Sequence, residues 1–428
     1  MPSRPWPGLA AVEVAHVWVR RGDWRGPFTL NDLPVAAISP YLTVPGSASG
    51  NPYRLKANES KSFQGSIVLG MGFVLEPEEA AALIAKDPRI HEALFPYLNG
   101  EDLNSRPDQS PSRWVINFHD WPLEKAETYP DLMAIVRAKV KPERDKNNRK
   151  SYSDWWWQYA EKRPALYANI AGMGRVLVCS EVSKHLGFCF VPNLAVYSAN
   201  LDVFIVSLAM LSVLQSSLHD NWARVYSSSL ETRLKYSPGN AFETFPFPAC
   251  LQEESSRKGA KTPREEKLSG FAALREPSGA ALRETLDRIG EAYHEHRRQI
   301  MLTRQEGLTK TYNRFHNPSE TAADIAELRR LHVEMDNAVA AAYGWGPSTS
   351  SGQALDLGHG FHETKQGLRY TISEVARRTV LDRLLALNHT RYAEEVEEGL
   401  HDPKGARKAA KPQSRKGKQG SDGQGGMF

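Results

Sequence analysis

The sequence has no run of eighteen apolar residues. Its most apolar stretch, Val203 to Leu214, is short and carries Ser207 and Ser212, which predicts a buried helix and no membrane span. The N-terminus, MPSRPWPGLAAVEVAHV, lacks the charged and apolar regions of a secretory signal. Cysteine is scarce, with Cys179, Cys189 and Cys250 in 428 residues. An odd count without metal-ligand spacing argues for reduced thiols in a cytoplasmic protein.

A general excess of charge is also lacking. The net charge is +4, and the segment from residue 401 accounts for more than all of it. There, Lys404, Arg407, Lys408, Lys411, Arg415, Lys416 and Lys418 face only Asp402 and Asp422. Residues 1–400 sum to −1, so any surface for nucleic acid has to be a local patch.

Catalytic motifs are missing as well. An amino-methyltransferase needs a glycine-rich turn after a strand for S-adenosyl-L-methionine, and an Asn/Asp/Ser-Pro-Pro-aromatic loop for the flipped base. Asn51-Pro52-Tyr53 has one proline where two are needed and reads as a turn. Gly70-Met71-Gly72 follows the strand-like Ser66 to Leu69, but an isolated Gly-x-Gly fits a hairpin turn better than a cofactor loop. Glu59-Ser60-Lys61 matches the triplet of metal nucleases, a pattern common by chance. His294 and His296, two apart, cannot share one helical face to bind zinc. No G-x-S-x-G, phosphate-binding loop or Cys-His motif occurs. These absences predict no catalytic residue, no metal site and no cofactor-binding residue in this chain.

What is present divides by composition. Residues 10–39 hold short β-rich runs, AAVEVAHVWVR, GPFTL and PVAAIS, separated by turn signals: a hairpin, or the last strands of a larger sheet. TVPGSASGNP (43–52) reads as a loop. A mixed α/β stretch rich in aromatics runs from Ser62 to about Pro248. Residues 251–275 are polar and read as a linker. Helical patterns follow. One places Leu282, Leu286, Ile289, Tyr293 and Ile300 on one face. The next, capped by Ser319, carries Ile325, Leu328, Leu331, Val333, Met335, Val339 and Tyr343 and ends at Gly344. TISEVARRTVLDRLLALNHTRYAEE forms the third. The remaining low-complexity segment predicts a disordered basic tail.

The densest charge before that tail is the run Arg137, Lys139, Lys141, Arg144, Lys146, Arg149 and Lys150 against Glu143 and Asp145. LEKAETYPDLMAIVRAKVKPERDKNNRK predicts a helix from about Leu123 whose basic end passes into a polar segment. Lysine and arginine there could neutralise phosphates, and Asn147 and Asn148 could pair with adenine edges. Trp155, Trp156, Trp157 and Tyr159 offer stacking planes. The plainer alternative is a solvated helix end favoured by the dipole, followed by core tryptophans. At least two of the three tryptophans are expected to pack. Lys139, Lys141, Arg144, Lys146, Asn147, Asn148, Arg149, Lys150 and Trp155 are the candidate DNA-binding residues.

The succession SFQGSIVLGMGFVLEPEEA (62–80), LFPYLNGEDLNSRPDQSPSRWVINFHDWPLEKAETYP (94–130), KPERDKNNR (141–149), WWWQYAEKRPALY (155–167) and RVLVCSEVSKHLGFCFVPN (175–193) resembles a known region. It is similar to the target-recognition domain of MmeI-like restriction–modification adenine-specific DNA methyltransferases, a set that includes methylases of phage defence. EGLTKTYNRFHNP (306–318), LRRLHVEMDNAVAAAYGW (328–345) and RYTISEVARRTVLDRLLALNHTRYAEE resemble the helical C-terminal region of the same family.

The resemblance implies an α+β chain: a mixed α/β DNA target-recognition domain at 61–250, a linker at 251–275 and a helical C-terminal domain at 276–400. The basic tail at 401–428 completes it, and residues 1–60 would be a remnant of the methyltransferase sheet. The family's catalytic domain lies upstream of these regions. The expectation is therefore a DNA-recognition subunit for adenine-N6 methylation, with double-stranded DNA as partner. S-adenosyl-L-methionine would bind a catalytic methyltransferase polypeptide encoded upstream. A self-sufficient methyltransferase with unrecognised motifs and a non-catalytic interaction protein are the alternatives.

Overall fold

The computed structural model describes residues 4–5, 13–14, 16–24, 26–30, 33–38, 50–230, 233–252, 278–346 and 354–401. The expected linker from 253 and the expected tail from 402 lie outside the described residues, as does most of the loop expected at 43–52.

Two four-stranded sheets organise the first half. Their strands are β1 (Ser62–Gln64), β2 (Val74–Leu75), β3 (Leu94–Leu98), β4 (Arg113–Ile116), β5 (Arg175–Ser180), β6 (Phe188–Pro192), β7 (Val196–Tyr197) and β8 (Leu201–Phe204). The first sheet has the order β6-β5-β8-β1 and is antiparallel throughout. The second has the order β7-β3-β4-β2, with β7 parallel to β3 and the other pairs antiparallel.

The sheets meet where Gly65 donates its amide to Leu201 O at 2.9 Å and Ser66 donates to Tyr197 O at 2.8 Å. A Cβ on Gly65 would stand 2.6 Å from Tyr197 O and closer still to Ser198 O, so only glycine admits this approach.

The first sheet is buried on both faces, which is why RVLVCS and LDVF are rich in apolar residues, with Asp202 the charged-type side chain buried among them. Alternate residues feed two cores, as the two-residue period of a strand requires. Leu177, Cys179, Phe188 and Phe204 enter a core with α1 (Leu208–Gln215), α2 (Ser217–Tyr226) and, from the end of the chain, α6 (Glu374–Glu397). Val176, Val178, Cys189 and Val203 enter a second core. It is shared with α3 (Gly279–Arg304), α4 (Leu308–Phe315) and α5 (Ala323–Ala342). A third core, including Phe73, Ile116, Phe118, Leu132, Val136, Val140 and Trp156, lies under the second sheet. It is built from residues 68–196 alone.

The helical segment therefore does not bury its apolar stripe within itself; two of the three cores cross the boundary expected near residue 250. Arg297 of α3 is one clamp across it. Fully buried, it donates to Phe188 O at 2.5 Å, Gln215 Oε1 at 3.0 Å and Tyr312 OH at 2.8 Å.

Local expectations fare unevenly. Leu286, Ile289, Tyr293 and Ile300 are buried, as are Ile325, Leu328, Leu331, Met335 and Val339. Gly344 has φ +73°, the left-handed conformation expected of a glycine closing a helix. Ser319 is not the cap of α5. The helix begins after Ala322, whose amide is held by the Glu320 carboxylate at 3.1 Å.

Val203 to Leu214 is not one helix. It ends β8 and then, after Ser207 caps the chain through its hydroxyl, forms α1. The helix expected from Leu123 is broken into Leu123–Ala126, Pro130–Lys139 and Lys141–Arg144, because Pro130 and Pro142 each take the start of a segment.

Near the N-terminus, Phe28–Leu30 pairs with Leu33–Val35, and Arg4–Pro5 pairs with Glu13–Val14. Neither pair joins the sheets of the first half. Trp18 is 78% exposed and Trp24 47%. Trp6 lies outside the described residues. Among the described residues no helix is long and apolar enough to cross a membrane.

Candidate nucleic-acid interface

The basic run leaves the end of Pro130–Lys139 and passes through Lys141–Arg144 to Lys150–Asp154. Gly72 packs against its root: a Cβ there would stand 2.8 Å from the Lys139 carbonyl carbon and 2.9 Å from Val140 Cγ2. Gly70-Met71-Gly72 is thus a tight turn, with Met71–Phe73 forming one 3-10 turn against a helix end. Asn51-Pro52-Tyr53 is likewise packing. Tyr53 stacks on Tyr392 at 4.2 Å, and its amide and carbonyl both bond to the Asn388 side chain.

The nine candidate residues separate into three groups. Lys139 and Lys141 are solvent-facing but locally balanced, 3.9 Å from Glu79 and 2.7 Å from Asp145. Lys146, Asn148 and Lys150 are exposed, and neither lysine makes an ion pair among the described residues. Arg149 is exposed too; its guanidinium lies over the Tyr152 ring and donates to that hydroxyl at 2.7 Å. Asn147 is half-buried and accepts the Arg149 amide at 2.9 Å, an Asx turn that occupies its carbonyl oxygen.

Arg144 requires a correction. It is 1% exposed and donates to Val68 O at 2.7 Å, Leu69 O at 2.9 Å and Gln158 O at 3.1 Å. Burial without a carboxylate partner lowers its pKa. A guanidinium held by three carbonyls inside the protein is a clamp between segments, with its donors spent on the backbone although it borders the cavity beside Tyr152 and Trp155. Its spacing in the charge run gave no sign of this.

The tryptophans divide as expected. Trp156 and Trp157 are buried, the latter donating to Trp121 O at 2.9 Å, whereas Trp155 is 51% exposed. Trp155 forms one wall of a cavity of about 280 Å³ that also meets Tyr152, Gln158, Tyr159 and Lys162. The Tyr159 hydroxyl is buried there without a hydrogen-bond partner, and burial raises its pKa well above that of a free phenol. Lys162, which pairs with Asp120, was not singled out in the sequence because it stands outside the charge run.

Among the described residues no group of three His, Cys, Asp or Glu is placed to hold a metal ion. His294 Nε2 accepts the Phe190 amide, while His296 Nε2 meets Asp324 O, so the two point apart. Cys179, Cys189 and Cys250 are free thiols.

The chain thus combines two small sheets with an exposed basic helical run, and its C-terminal helices close two of the three cores. Residues 57–249 match the family model of the MmeI target recognition domain. The fold is also similar to that of a solved structure described as the Type IIL restriction–modification enzyme MmeI in complex with DNA. The TM-score is 0.56 at 16% identity, and the match covers 84% of this chain and 39% of that one. The chain thus matches well under half the length of that enzyme. No curated protein matches it.

Proposed function

We propose that this chain recognises a specific sequence in duplex DNA on behalf of an adenine-N6 methyltransferase of a restriction–modification or phage-defence system. The observation that carries the reading is the family match over residues 57–249. The exposed Lys146, Arg149 and Lys150, with Lys139 and Lys141 beside them, supply the local positive charge that a nearly neutral fold needs to hold a phosphate backbone. Asn148 is the exposed amide placed among those cations, suited to an adenine edge, and Trp155 is an exposed plane for stacking.

Methyl transfer itself belongs to a second polypeptide in this proposal. S-adenosyl-L-methionine and the pocket for the flipped adenine would be supplied by a catalytic polypeptide encoded upstream, a reading supported by the sequence's lack of an Asn/Asp/Ser-Pro-Pro-aromatic loop. The N-terminal strands, which pair with neither four-stranded sheet, would complete the sheet of that partner. Methyl transfer to a duplex substrate is measured with the purified chain alone, with the upstream polypeptide alone and with both. Activity and site selectivity that require both are the expected result. Transfer by the chain alone would overturn the division of labour, and a shallow salt dependence of duplex binding would overturn the recognition role.

A further inference from the structure

A second concentration of positive charge lies away from the basic run, in the part of the molecule built on the first core. A cavity of about 790 Å³ opens between α2, the hairpin of Gly360–Thr364 with Gly367–Thr371, and the first turns of α6. Its cationic side chains are Arg224, Lys365, Arg369, Arg377 and Arg378. The carboxylates on its walls are Asp220, Glu363 and Glu374.

The protein leaves several of these donors unused. Arg224 bonds Asp220 through Nε at 2.7 Å, but its Nη2 is buried without a partner. Arg377 uses Nη2 on Glu374 at 2.7 Å and on Glu363 O at 3.1 Å, while its Nε is buried without a partner. Arg369, 8% exposed, makes one side-chain hydrogen bond among the described residues, 2.7 Å to His316 Nε2.

The imidazole of His316 also faces the Tyr370 amide at Nδ1, 3.2 Å away. A neutral imidazole accepts at one nitrogen only, so one of these two donors is left over. Burial and Arg369 hold the His316 pKa well below its usual value, so a protonated ring does not help. Burial, together with the neighbouring Arg224, pushes the Arg369 pKa down to about 10. Asp220 is the carboxylate near Arg369, but it is already bonded to Arg224 and, among the described residues, makes no hydrogen bond to the Arg369 guanidinium, so the two buried cations share one anion.

We propose that this cavity binds a phosphate group, with Arg224, Arg369 and Arg377 as its ligands. Guanidinium forks suit a tetrahedral oxyanion, and the positive end of the α6 dipole adds to the same field. The phosphate comes either from the DNA backbone, in which case the site deepens the recognition reading, or from a free nucleotide or inorganic phosphate, in which case it is independent of that reading.

The test uses the full chain. Hydrogen exchange of residues 360–378 is followed in sodium phosphate, in AMP and in sodium chloride at matched ionic strength. Duplex binding is titrated against salt in parallel. A free-phosphate site gives slowed exchange in phosphate or AMP, at least tenfold weakened by Arg377→Gln, with duplex binding unchanged. A backbone site gives a log–log salt slope reduced by about 0.9 in Arg377→Gln, equally on specific and random duplexes. Arg377→Lys, which keeps the charge and loses the fork, falls between the two in either case. If the unmodified chain shows no anion-specific protection and Arg377→Gln leaves the salt slope intact, the proposal is wrong. Phosphate protection in a chain that binds no duplex would instead overturn the recognition reading and keep the site.

Discussion

Lys146, Arg149 and Lys150 are neighbours in sequence and reach solvent together; Arg224, Arg369 and Arg377 come from three separate elements and meet in one cavity. The first group is conspicuous in the sequence. The second is invisible there, because Arg224 lies more than a hundred residues from the other two and each is flanked by ordinary helix or strand residues. Their energetic positions also differ. Exposed lysines cost little to keep charged, since water screens them and they can turn toward any anion. Partly buried guanidiniums with unused donors retain a standing cost that a bound oxyanion would remove. Charge density along a chain thus marks where a protein can attract a polyanion; unsatisfied charge in a cavity marks where it lacks one.

The sharpest test of this contrast lies inside the basic run itself. Arg144→Ala should lower folding stability by about 3–5 kcal/mol, because three buried carbonyls lose a charged donor, while Arg149→Ala should stay within about 0.5 kcal/mol of the parent. Urea unfolding measures both. Equal, small effects would place Arg144 at the surface and return it to the candidate phosphate ligands.

Acid should next separate the buried side from the exposed one. Burial holds His185 and His219 at a pKa of about 3, with Arg369 adding to the effect at His185. Above the unfolded value near 6.5 both states are neutral. As the pH falls below it, the unfolded chain takes up protons that the folded chain refuses, and stability drops. At pH 5 the loss is on the order of 2 kcal/mol for each histidine. Urea midpoints that do not move between pH 7 and pH 5 would mean that these rings are hydrated.

The exposed side should answer to salt. Lys146→Ala, Arg149→Ala and Lys150→Ala combined should reduce the log–log salt slope of duplex binding by about 0.9 for each phosphate no longer neutralised, equally on specific and random DNA. A parental slope would locate the phosphate-binding surface elsewhere, with the arginine cavity the first place to look. The smallest expected effect is that of Asn148→Ala, about 1–3 kcal/mol on the cognate site alone. An equal loss on random duplexes would make Asn148 a positioning residue.

Much of the architecture was legible because apolar periodicity reports local geometry. The stripes of α3 and α5, and the left-handed Gly344, follow from the 3.6-residue repeat and from glycine's freedom at positive φ. Trp156 and Trp157 are buried while Trp155 stays half exposed, its ring 5.2 Å from that of Trp157. Sequence expectation and structure differ where one local signal overrides another. Two prolines divided the helix expected from Leu123, and Ser207 turned an apolar run into a strand end and a helix start.

By itself the sequence determined the mixed α+β class, the helical stripes, the order of segments that resembles a recognition domain, and the place of greatest linear charge. All of these are properties of neighbouring residues, set by periodicity, turn chemistry and composition. Only the tertiary structure decided that Arg144 is a clamp, that the C-terminal helices share two cores with the first sheet, and that three arginines from separate elements line one cavity. The burial and pairing of a charged side chain depend on which segments fold over it, and the meeting of distant segments leaves no period in the sequence.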